Sequence, residues 1–243
     1  MRAAVGPALA FLVAAACAGI GGAPMATTLR TGAGGDGPAL RYVALGDSFT
    51  IGTSVEEASR WPNQLVERLA ANVPHLDLVA NLGVDGRTSA DLIRDQLPAL
   101  DGLRPEFVSL LIGVNDVVQG FSAEQYRSNA IVIVDALRAR LPVTRIVAVS
   151  IPDYTVTPAG AEYGDPAAQS ARIVAENAIL AGLCAARGIA FVDITDLSLR
   201  AAGDRSLVAA DGLHPSGAQY ALWVERIAPV VQALLDRPVP GAP

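Results

Sequence analysis

The sequence predicts an α/β fold, a parallel β-sheet with helices on both faces, and three observations carry that prediction. From residue 41 onward, short apolar runs alternate with amphipathic stretches. The runs are rich in Val, Ile, Leu and Phe and are continuously apolar, as expected of strands covered on both sides. The links are short, which favours right-handed crossovers between parallel neighbours.

The first predicted strand, 42–45, reads Tyr-Val-Ala-Leu and ends at Gly46. A helical pattern over 62–71 leads to the second strand, 76–80. The helix predicted over 89–97 precedes the most apolar strand, 107–112, with its run Val108-Ser109-Leu110-Leu111-Ile112. A helix over 123–140 then precedes the strand at 145–151. The loop 152–165 follows, with two tyrosines, two prolines and two glycines; it either lines a cleft or only connects. A helix over 166–187, a strand at 190–194 and a last helix over 216–235 complete a sheet of about five strands.

The 243 residues suffice for one domain with a leader and a large core. Mean hydropathy is +0.38, raised by alanine and by the apolar first residues. The net charge of -6 argues against a nucleic-acid partner. All 18 basic residues are arginine, so Schiff-base chemistry and a phosphate-loop lysine are excluded. His75, His214 and Cys184 show no metal-ligand spacing, and neither a metal nor another cofactor is expected. Cys184 falls in a helical apolar pattern with Ile179, Leu180 and Leu183 and reads as a buried inert thiol.

Residues 1–26 read as a secretory signal peptide: Arg2, an apolar run to Ile20, then Gly21-Gly22-Ala23-Pro24. The same run approaches the minimum for a spanning helix, though Gly6 and Pro7 weaken that reading. Val13-Ala14-Ala15-Ala16-Cys17 also resembles a bacterial lipobox, and a membrane tether follows only if Cys17 is lipidated. Residues 27–39 form a Gly- and Thr-rich flexible lead-in to a domain over 40–237.

Four segments at strand ends or in a late loop carry chemistry: Gly46-Asp47-Ser48 with Gly52, Asn81-Leu82-Gly83, Gly113-Val114-Asn115-Asp116, and Asp211-Gly212-Leu213-His214-Pro215. Ligands of open α/β sheets bind at such carboxyl ends. Ser48 supplies a nucleophile and His214 a base, held extended by Pro215. Asp211, three residues earlier, can fold back onto the imidazole to orient it. The Asn115 amide and the backbone N–H groups of Ser48 and Gly83 are candidate oxyanion donors, with Asp47 and Asp116 as support behind them. His75 has no such company and reads as surface structure.

In their order and content these segments resemble the GDSL lipase/esterase family, also called SGNH hydrolases, from about Arg41 to the last helix. The resemblance implies a flavodoxin-like three-layer sandwich. It further implies a Ser48–Asp211–His214 triad and an oxyanion hole of Ser48, Gly83 and Asn115. The implied reaction is hydrolysis of a carboxylic ester outside the cytoplasm through an acyl-serine. An acyltransferase or glycan O-deacetylase could use the same groups. A non-catalytic flavodoxin-like binder is disfavoured, because the turn after the first strand lacks a run of phosphate-cradling glycines.

Overall fold

The structure, a computed structural model, describes residues 38–237. The leader and all but the end of the lead-in lie outside the described residues. Five parallel strands form one sheet: β1 (Ala39–Gly46), β2 (His75–Asn81), β3 (Phe107–Leu111), β4 (Ile146–Val149) and β5 (Ala190–Val192). Their order is β2-β1-β3-β4-β5, the flavodoxin-like order. From β1, inside the sheet, the chain steps out to β2, then crosses back over β1 to β3. That reversal opens a crevice at the carboxyl ends of β1 and β3.

Alternation along the strands sorts the core into two layers. Val43, Leu45, Val108, Leu110, Ile146 and Ala148 pack with Ile133, Val134, Leu137 and Leu180. The latter come from α6 (Ala123–Arg138) and α7 (Pro166–Arg187). Tyr42, Ala44, Leu111, Val147 and Val149 belong to the other layer, with Trp61 and Leu65 of α2 (Trp61–Arg68) and Trp223, Ile227 and Val231 of α9 (Gly217–Leu235). Both faces of the sheet are thus covered, which explains why the strands are apolar at consecutive positions.

The five predicted strands and the long helices are present, with ends shifted by a few residues. The helix expected over 89–97 differs. It begins as α3 (Ser89–Asp91), widens over Leu92–Gln96, and continues as α4 (Leu97–Leu103). Pro98 has no N–H to extend an ordinary ladder, and Leu97 N–H bonds back to Leu92 O, five residues away. Three one-turn helices were not foreseen: α1 (Ser48–Ile51), α5 (Val114–Val118) and α8 (Thr195–Ser198). Cys184 is buried, and burial pushes its thiol up to about 11, as expected of an inert cysteine.

Candidate active site

The strand-to-helix turn at Ser48 is built by its neighbours. Asp47 caps α1, its Oδ1 accepting from Phe49 N at 3.0 Å, and Gly52 ends that turn in the left-handed region at φ 74°. A β-carbon on Gly46 would lie 2.4 Å from Leu111 O, so only glycine lets α1 sit this close to β3. Gln96 holds both backbone groups of Gly46, accepting from its N–H at 3.0 Å and donating to its carbonyl at 2.7 Å. The Ser48 N–H, at the first turn of α1, donates to no group among the described residues.

Asp211 and His214 sit in a tight loop closed by a Val208–Pro215 bridge, just before α9. His214 Nδ1 lies 2.6 Å from Asp211 Oδ2, while Asp211 Oδ1 accepts from Leu213 N at 2.9 Å and His214 N at 3.0 Å. His214 O accepts from Ala209 N at 2.8 Å, so the histidine is fixed at both backbone groups and at its ring. Phe49 packs against the imidazole with ring centres 5.0 Å apart. Burial pushes the Asp211 carboxyl up, but hydrogen bonds from Ser54, Leu213 and His214 outweigh it. They hold the carboxyl well below the usual carboxylate range. Asp211 is therefore ionised throughout neutral pH.

Asn115 follows Gly113, whose φ of 136° admits no ordinary side chain and whose β-carbon would strike Ile151 Cδ1 at 2.4 Å. One N–H of the Asn115 amide donates to Arg87 O at 3.0 Å, which orients the group and leaves its second N–H without a partner among the described residues. Asp116 is buried and accepts from Ser89 N at 2.8 Å and from Ser89 Oγ. It thereby ties the third segment to the start of α3. Burial raises its carboxyl above the usual range. Asp47 is also fully buried, and burial pushes it up to about 8 against the Phe49 hydrogen bond.

Ser48, Phe49, Asp85, Gly86, Val114, Asn115, Val118, Tyr154, Tyr163, Leu213 and His214 line one cavity of about 230 Å³. The structure thus brings Ser48, Asn115 and His214 together, with Asp211 behind the imidazole. No hydrogen bond joins Ser48 to His214, whose ring is held by Asp211 instead; nucleophile–base contacts of this kind tighten as the reacting complex forms. Tyr154 and Tyr163 settle the role of loop 152–165: it lines the cleft. Its Ala159 N–H also braces the histidine loop at Gly212 O, 2.9 Å away.

Gly83 requires a correction. Its N–H donates to Asn81 Oδ1 at 3.1 Å, and Gly83 is not among the residues lining the cavity. Its β-carbon would lie 2.6 Å from Ile51 N and 2.7 Å from Asp47 O. The glycine is there so that two backbones can approach closely. Gly86, at φ 74°, lines the cavity instead, and its N–H donates to no group among the described residues. His75 opens β2, half-buried and not among the residues that line the cavity.

Arg172 of α7 is a further support that no sequence signal announces. Its guanidinium donates to Val117 O at 2.8 Å, Asp116 O at 3.3 Å and Phe121 O, closing the carboxyl end of α5. Beneath it Glu176 is buried, and burial with Asp116 nearby pushes its carboxyl up to about 8 while Arg172 opposes. An unfolded glutamate titrates near 4.3, so between roughly pH 4 and 8 the folded chain holds a proton the unfolded chain has lost. Stability from this group is therefore lost as pH rises through that window. Glu176→Gln is expected to leave Tm nearly unchanged near pH 4 and raise it near pH 8.5, as read by thermal unfolding. An equal change at both pH values contradicts the assignment.

A family model described as the GDSL-like lipase/acylhydrolase family matches residues 44–222. No curated protein matches the sequence. Solved structures share the fold. TesA is 22% identical, covering 80% of this chain and 99% of its own, with a TM-score of 0.61. The psychrotrophic esterase EstA from Pseudoalteromonas sp. is 18% identical, over 81% and 99%, with a TM-score of 0.62. An acetylxylan esterase from Geobacillus stearothermophilus is 17% identical, over 83% and 96%, with a TM-score of 0.60.

Proposed function

Since the chain belongs to the GDSL-like lipase/acylhydrolase family and is an ester-cleaving serine hydrolase, we propose that it works through an acyl-Ser48 intermediate, outside the cytoplasm. In this reading Ser48 Oγ attacks the ester carbonyl as His214 Nε2 takes its proton. Asp211 holds Nδ1–H and stabilises the imidazolium. The negative oxygen that develops is received by Ser48 N–H, Gly86 N–H and the free N–H of Asn115. The protonated imidazole then gives its proton to the departing alkoxide, and water repeats the sequence to release the acid. The single observation that carries the reading is the meeting of Ser48, Asn115 and the Asp211-held His214 on one cavity.

The cavity's small volume and its apolar wall of Phe49, Val114, Val118 and Leu213 suit a short acyl group or a small alcohol. Ligand sites for larger molecules run to about 300–1,000 Å³. A series of p-nitrophenyl esters is expected to show the highest kcat/KM for short chains. Acetylated sugars belong in the same assay, since one structural neighbour is an acetylxylan esterase. No hydrolysis of any ester that Ser48 is needed for would contradict the reading.

Export rests on the leader: Arg2, the apolar run and the small residues near Ala23 to Ala26. N-terminal sequencing of the mature protein is expected to begin near Ala26 or Thr27. A lipidated Cys17 would make it a tethered lipoprotein, and an intact Met1 would overturn export.

A further inference from the structure

Asp211 receives four hydrogen bonds, enough to fill both carboxylate oxygens. Three come from its own turn. The fourth comes from Ser54 Oγ, 2.6 Å from Oδ2, across 157 positions of sequence. Ser54 lies two residues after Gly52 in the loop that leaves the Ser48 helix. Its neighbour Thr53 donates from Oγ1 to Asp85 Oδ1 at 2.5 Å, on the loop that carries Gly86. Adjacent hydroxyls thus fasten the nucleophile loop to the acid on one side and to the cavity-lining loop on the other.

The backbone at Ser54 adds an independent observation. Its φ is 67°, a left-handed conformation that glycine or asparagine adopts at least cost. The position nevertheless carries a serine, and the serine's hydroxyl is spent on Asp211 Oδ2, the same oxygen that holds the imidazole. Among the groups that keep the Asp211 carboxyl low against burial, Ser54 is the largest.

We propose that Ser54 is a positioning residue of the hydrolytic reaction, holding Asp211 so that His214 stays aimed at Ser48; this rests on the triad reading above. Ser54 touches neither substrate nor reacting atoms. It fixes the distance between two loops that no other hydrogen bond from the Asp211 carboxylate spans. Losing it lets Asp211 and the imidazole rotate together, which slows proton transfer and leaves substrate binding intact.

The test compares Ser54→Gly, which removes the hydroxyl and relieves the backbone, with Ser54→Ala, which removes only the hydroxyl. Both are expected to lower kcat about tenfold, the scale of one hydrogen bond to a charged group, with KM unchanged. Ser54→Gly should also keep or raise Tm, separating the kinetic effect from misfolding. Ser54→Asn, which tolerates the left-handed backbone and carries a donor, should recover part of kcat. The defining readout is a double-mutant cycle: in an Asp211→Ala background, Ser54→Gly should cost nothing further. Full kcat in Ser54→Gly, beside an impaired Asp211→Ala enzyme, overturns the proposal and leaves the triad standing. A Ser54 effect as large without Asp211 as with it also overturns the proposal. Unimpaired activity in Asp211→Ala overturns the triad reading itself.

Discussion

Replacing Ser48 and His214 together with alanine is expected to cost no more than replacing either one. Each single change should lower kcat by about 10⁵–10⁶, and the double change by the same amount. The reason is that the two act as one unit. Without the base the hydroxyl is a poor nucleophile, and without the hydroxyl the imidazole has nothing to activate. Asp211→Ala should retain more activity than His214→Ala, because Asp211 orients the ring and receives no proton itself. The imidazole would still be anchored by His214 O to Ala209 N and by the packing of Phe49. Steady-state kcat and KM for the two single and one double variant decide the matter. Losses that multiply in the double variant would show that Ser48 and His214 do not act on one step.

Asn115→Ala is expected to lower kcat by roughly 10²–10³ with little change in KM. The amide's free N–H meets its full partner only when the carbonyl oxygen becomes negative, so the loss falls on the transition state. Its other N–H holds Arg87 O, so the change also loosens the loop carrying Gly86. Asn115→Asp keeps the side chain's shape but loses both N–H groups and places negative charge beside the oxyanion, so it should be at least as inactive as alanine. An effect of Asn115→Ala confined to KM would remove the amide from the oxyanion hole.

The sheet was legible because its strands are apolar on both faces, and the long helices because they are periodic over many residues. The one-turn helices α1 and α5 were not, since four or five residues are too few for a period to appear. The candidate triad Ser48, Asp211 and His214 could be read from compact segments, one at a strand end and one in a late loop, whose few residues carry a distinctive pattern. The candidate donor after β2 could not. A glycine signals either an exposed N–H or a close backbone approach, and nothing local separates Gly83 from Gly86. The contact between Gly83 and the Asp47–Ile51 backbone decides it, and that contact is tertiary. Ser54, Gln96 and Arg172 were invisible for the same reason. Each acts on a partner at least fifty residues away, and hydroxyls, amides and guanidinia in loops and helices carry no signature of such a partner.

The most direct measurement of the central claim is covalent capture of the nucleophile. The full-length enzyme, treated with a fluorophosphonate and digested, should carry one phosphonyl group on the peptide containing Ser48. Hydrolysis should fall in proportion to labelling, and Ser48→Ala should neither label nor turn over. A label on another residue, or ester hydrolysis that persists in Ser48→Ala, would contradict the account.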